Sequence, residues 1–169
     1  MTGQRLALRA ALVITAVLVQ VVIVNKWSLP GGHPDLLVLV VVGFALVTDP
    51  QRGALLGFFA GLFADLVPPA GHIAGRLAFA YTVVGYLAGM FGDGEDNSVS
   101  TTIMVVAGGS AAVVLLYAGV GGLVGDARIS LGVTARSVLA TVVYDVILAP
   151  FVVPLVTRLA RRLEPAGPR

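Results

Sequence analysis

The 169-residue chain is 57% hydrophobic and only 12% charged, with a mean hydropathy of +0.96, whereas a soluble domain carries about 25% charged residues. That composition excludes an ordinary water-soluble fold and implies an integral membrane protein. The formal net charge is +2, but the 11 Lys and Arg residues are scattered between apolar runs with no basic, aromatic-interleaved stretch, which excludes nucleic-acid recognition.

Six apolar segments follow one another. The first, residues 6–24, is preceded by Arg5 and Arg9 and ends in "VIVNKW" without a small-x-small cleavage pattern, so it reads as a retained transmembrane helix, not a signal peptide. "NKWSLPGGHPD" breaks it, with Trp27 suited to an interfacial anchor. The second segment, residues 36–48, is short, and "DPQR" then places a proline where a helix can start. The third, residues 53–67, ends at "PPAGH"; the fourth, residues 76–91, ends at the acidic "GDGEDNS". The fifth spans residues 101–124 and the sixth residues 137–157.

About 20 helical residues cross a hydrocarbon core of about 30 Å. The first, fifth and sixth segments meet that length. The second and third fall short, and are expected to be true spans covered by neighbouring helices, in preference to a re-entrant hairpin. The expected fold is an all-α membrane protein with about six transmembrane helices in one bundle, a single domain over residues 1–169 with a basic tail at residues 158–169. With six crossings, Arg5, Arg9, Arg52, Arg158, Arg161, Arg162 and Arg169 share one side, against Lys26, Arg76, Arg128 and Arg136 on the other. This bias predicts cytoplasmic termini in the inner cell membrane. The closing "RLARRL" also suits anionic lipid.

Within the third segment, "GALLGFFAGLFAD", Gly53, Gly57, Gly61 and Asp65 recur every fourth residue and form one slowly winding stripe on a helix. In lipid, close backbone approach over small residues is what gains contacts when helices pair. The stripe therefore predicts a helix-packing or partner face, and Gly85 with Gly89, like Gly121 with Gly125, repeats the spacing. Asp65, just before Pro68-Pro69, reads as an interfacial aspartate that reaches water or pairs with Arg76. Asp145, in "ATVVYDVILAP", stands about 12 Å into the sixth span at about 1.5 Å per residue. A carboxylate there must pair, take a proton or face the bundle. It reads as a polar clasp to a neighbouring helix through a hydroxyl of Tyr144, Tyr81, Tyr86 or Tyr117, with Pro150 and Pro154 kinking the helix beyond it.

Catalysis has little support. No cysteine is present, which removes thiolate chemistry, disulfides and Cys-ligated metals together. His33 and His72 are lone loop histidines. Paired intramembrane aspartates could activate water, as in an aspartyl protease, and Tyr144-Asp145 fits its "YD" context, but the partner "GxGD" is missing. "GGS" at Gly108–Ser110 has no intramembrane histidine to serve as a base. No catalytic residue, metal or cofactor is expected.

Residues 52–89, "RGALLGFFAGLFADLVPPAGHIAGRLAFAYTVVGYLAG", resemble the central signature of the MreD family of rod shape-determining proteins. The resemblance rests on Gly57-Phe58, Gly61-Leu62, Asp65-Leu66, the Pro68-Pro69 break, and Gly85-Tyr86-Leu87 with Gly89, and it departs from the pattern at Arg76. It implies a non-enzymatic membrane scaffold of the peptidoglycan elongation machinery. Its implied partners are a bitopic MreC-like protein and, indirectly, an MreB-like actin homologue, a RodA-like glycosyltransferase and a class B penicillin-binding transpeptidase. MreD-like proteins also resemble the substrate-binding membrane subunit of energy-coupling-factor vitamin transporters, which supplies an alternative function. For that alternative, Ala7 and Ala11 offer a small-residue pair on the first helix.

Overall fold

The structure, a computed structural model, describes residues 31–67, 75–92, 98–126 and 130–163, together with Thr15 and Gln20. The rest of the first predicted span with Ala7 and Ala11, Lys26 and Trp27, the Pro68-Pro69 break, His72, Arg128 and residues 164–169 of the tail lie outside the described residues.

Five helices make up the described fold: α1 (Leu36–Ala45), α2 (Pro50–Leu66), α3 (Arg76–Gly89), α4 (Val99–Leu123) and α5 (Leu131–Leu163), with no strand among the described residues. The protein is thus all-α where it is described. Of these helices, α4 and α5 are each long and apolar enough to cross a bilayer.

The shortest helix is the centre. Every residue of α1 from Leu37 to Ala45 is buried, and α1 packs against each of the other four helices. A helix that is apolar all round belongs inside a bundle. Around it, α2 packs on α3, α3 on α4, and α4 on α5, so the chain wraps its own second segment.

Local sequence sets where each helix begins. Asp35 caps α1, accepting from the backbone N–H of Leu37 and Val38. Asp49 caps α2, accepting from Arg52 N at 2.9 Å, with Pro50 in the first turn where its missing N–H costs nothing. Ser98 caps α4, and the Ser130 hydroxyl accepts from Val133 N at the start of α5. That last cap starts α5 at Leu131, before the expected Ser137, and the helix runs through Pro150 and Pro154 to Leu163.

The second segment differs most from its expectation as a continuous span. Its helix has 10 residues, about 15 Å at 1.5 Å per residue, half of what a crossing needs. Residues 31–35 precede it and run beside α5 without helical structure. Gly31, at φ 87°, sits against Ala140 and Arg136, and Gly32 against Ala140 and Thr141. The chain then reaches Asp145, which stands 14 residues after the first residue of α5, about 21 Å along its axis. This is deeper than a helix starting at Ser137 would place it.

Candidate functional site

A helix that begins inside a bundle leaves its first N–H groups in a medium with no water to satisfy them. Three side chains from three parts of the chain meet that need at α1. The Asp35 backbone N–H donates to Asp145 Oδ1 at 2.7 Å, and Leu36 N donates to Gln20 Oε1 at 2.9 Å. Leu37 N and Val38 N donate to Asp35 Oδ1 at 3.1 and 3.2 Å. Carbonyls of the entering segment are satisfied too: Gln20 Nε2 donates to Pro34 O at 3.0 Å, and the Thr141 hydroxyl to His33 O at 3.3 Å.

Each carboxylate in this cluster is held in turn. The Ser110 hydroxyl of α4 donates to Asp145 Oδ2 at 2.6 Å, and the Tyr81 hydroxyl of α3 to Asp35 Oδ2 at 2.5 Å. Asp145 and Ser110 are fully buried, and Tyr81 is nearly so. Asp145 therefore bridges α4, α5 and the start of α1. Its partner hydroxyl is Ser110, and the tyrosine of that neighbourhood, Tyr81, serves Asp35. Among the described residues no three His, Cys, Asp or Glu side chains gather as a metal site.

Beside the cluster lies a cavity of about 410 Å³, lined by His33, Asp35, Tyr117, Ser137 and Thr141 among others. His33 is exposed at its edge, whereas Asp35 is half-buried.

Asp65 performs the same service for α3. Its carboxylate, at the end of α2, accepts from Gly75 N at 2.8 Å, from Leu77 N at 3.1 Å and from Ala78 N at 3.1 Å. The residue at the cap position, Gly75, has no side chain, so the preceding helix supplies the acceptor. Asp65 is 1% exposed, so it does not reach water, the first of its two expected roles. Arg76, the departure from the family pattern, is 2% exposed. Its guanidinium donates to Asp126 Oδ2 at 2.9 Å and to Tyr117 O at 2.8 Å, and lies 3.9 Å from the centre of the Tyr117 ring.

The glycines place α2 against α3. Gly53 faces the Gly85 carbonyl, Gly57 the Tyr81 carbonyl, Gly61 the Leu77 carbonyl, and Gly89 the Pro50 backbone. A Cβ at any of these four would fall under 3.0 Å from the opposite backbone. The numbers run in opposite directions, so the two helices are antiparallel and meet backbone to backbone over this length. Both stripes are filled from within the chain. Gly108 behaves differently: a Cβ there would meet nothing within 4 Å. It opens, with Met104, Ala88, Gly109 and Ala112, onto an apolar groove of about 560 Å³ between α3 and α4.

Sequence reasoning missed Asp35 and Gln20. Asp35 had a signal, since a Pro-Asp pair immediately before an apolar run is a helix-start signature. Gln20 had none, because its partners lie on a segment that no spacing rule connects to it. Tyr144, named beside Asp145, points to a different face of α5 and is half-buried.

Apolar helices around a buried, short central helix, with carboxylates at helix starts, are consistent with an all-α membrane protein. The protein-family model for the rod shape-determining protein MreD matches residues 3–163. The chain belongs to the MreD family, and its role is in rod shape determination. No curated protein and no solved structure matches it.

Proposed function

We propose that this protein is a non-enzymatic scaffold of the peptidoglycan elongation machinery. It is a six-span protein of the inner membrane with cytoplasmic termini, and it captures the transmembrane helix of an MreC-like bitopic protein. Through that protein it reaches MreB-like, RodA-like and class B transpeptidase partners. The observation that carries the reading is the groove between α3 and α4. Gly108 and Ala112 lie four residues apart on its wall, and no described residue lies within 4 Å of a Cβ placed at Gly108. A single-pass helix needs such a surface, because small residues let backbones approach and lipid supplies little other drive for pairing. The Gly53/Gly57/Gly61 and Gly85/Gly89 stripes are occupied by each other, so in this reading they hold the scaffold together and the partner docks elsewhere.

The test is a photo-cross-linking residue at Met104, which is 73% exposed and lines the groove. In native membranes it is expected to trap an MreC-like protein. Recovery of lipid adducts alone would contradict this docking site.

A second reading, the substrate-binding subunit of an energy-coupling-factor transporter, is favoured by the cavity beside Asp35 and His33. It predicts co-purification of an ATPase-linked module from the same membranes, where the scaffold reading predicts cell-wall synthases.

A further inference from the structure

At the opposite end of α1 from Asp35, a second groove of about 350 Å³ runs between α1, α4 and α5. Its walls are Leu46, Val47, Ile103, Pro150 and Pro154, and Arg161 stands at one end. The Thr157 hydroxyl on its rim donates to its own helix, to Pro154 O at 3.1 Å, so it offers the groove little polarity. We propose that this groove binds an anionic phospholipid, an acyl chain lying between the three helices and the headgroup phosphate meeting Arg161.

Charge complementarity selects this occupant. Arg161 is exposed in the last turn of α5 with Arg162, and Arg158 stands one turn before it. Asp49, the acid described near the end of α1, is already paired with Arg52 at 2.9 Å. The N-terminus of α4, at Val99 on the groove wall, adds a partial positive charge. A zwitterionic headgroup would bring its own cation toward these arginines. A protein helix would want a run of small residues, whereas this wall is mostly Pro, Ile, Leu and Val, with Ala149 its one alanine.

The test is native mass spectrometry of the full-length protein with phosphatidylglycerol and with phosphatidylcholine of identical acyl chains. One basic contact at a membrane surface corresponds to about a five-fold preference. Phosphatidylglycerol is expected to be retained at least about five-fold better, and Arg161→Gln to abolish the preference. Arg158→Gln and Arg162→Gln, off the groove, should keep it. Ile103→Trp, filling the groove, should reduce retention of both lipids while its helical circular dichroism stays unchanged; if it fails to fold, the three arginine variants still decide. Equal retention of the two lipids would overturn the proposal. Equal losses from all three arginine variants would also overturn it, since that is general attraction to a basic tail. So would displacement of the bound lipid by soluble glycerol phosphate.

Discussion

At Asp65, backbone N–H groups of the next helix converge on one carboxylate, and at Asp145 the N–H of Asp35 does the same. In water such groups would be solvated at no cost; within a bundle each unsatisfied N–H costs about 1–3 kcal/mol. Aspartate suits the task because its charge also complements the positive end of a helix. The Arg76–Asp126 pair obeys a different logic. Arg76 is buried, with a side chain 2% exposed, while that of Asp126 is 25% exposed. Removing the partner of a buried charge is the costly change, on the order of 3 kcal/mol when no water can reach it. Asp126→Asn should therefore lower the unfolding midpoint more than Arg76→Met, which leaves an acid that solvent can reach. Detergent-solubilised protein followed by circular dichroism checks the order of the two midpoints.

At the scale of helices, the two kinds of glycine separate packing from docking. Gly57→Leu drives a side chain into the Tyr81 backbone, which cannot yield without parting α2 from α3. It should cost more than about 3 kcal/mol, beyond ordinary overpacking, and abolish accumulation in the membrane. A Cβ at Gly108 meets no described residue within 4 Å, so Gly108→Leu should melt like the wild type while partner capture is lost. If Gly108→Leu unfolds the protein, the open groove is misassigned; if it folds and still captures the partner, docking lies elsewhere. The helices from Pro50 to Leu123 were largely legible in the sequence, because prolines, glycines and caps punctuate them locally. Residues 131–136 were not: Gly132 and Arg136 break the apolar pattern, although the Ser130 cap extends the helix across them. The spacing of Gly53, Gly57 and Gly61 announced a close approach, but spacing on one helix carries no information about which helix fills it.

For the whole molecule, the arrangement resolves why the second apolar segment is too short. A buried half-helix, α1, sits at the centre and is entered by residues 31–35 beside α5. The candidate site was only half visible in advance for the same reason. Asp145 stood out as a charge in an apolar run, but its partners Asp35 and Ser110, and Gln20 beside them at the start of α1, come from distant positions and are joined only by the fold. Half-helices whose starts lie inside a membrane protein expose oriented N–H groups there, and this chain closes them with its own side chains. The central claim is that Asp145 holds the start of α1 as a hydrogen-bond acceptor. Comparing unfolding midpoints of Asp145→Asn and Asp145→Leu in one detergent tests it most directly. Asn still accepts from Asp35 N and can pair with the Ser110 hydroxyl, so it should stay close to the wild type. Leu leaves that N–H and hydroxyl unsatisfied and should cost about 1–3 kcal/mol for each group. A leucine variant as stable as the wild type, or an asparagine variant as damaged as the leucine one, would contradict it.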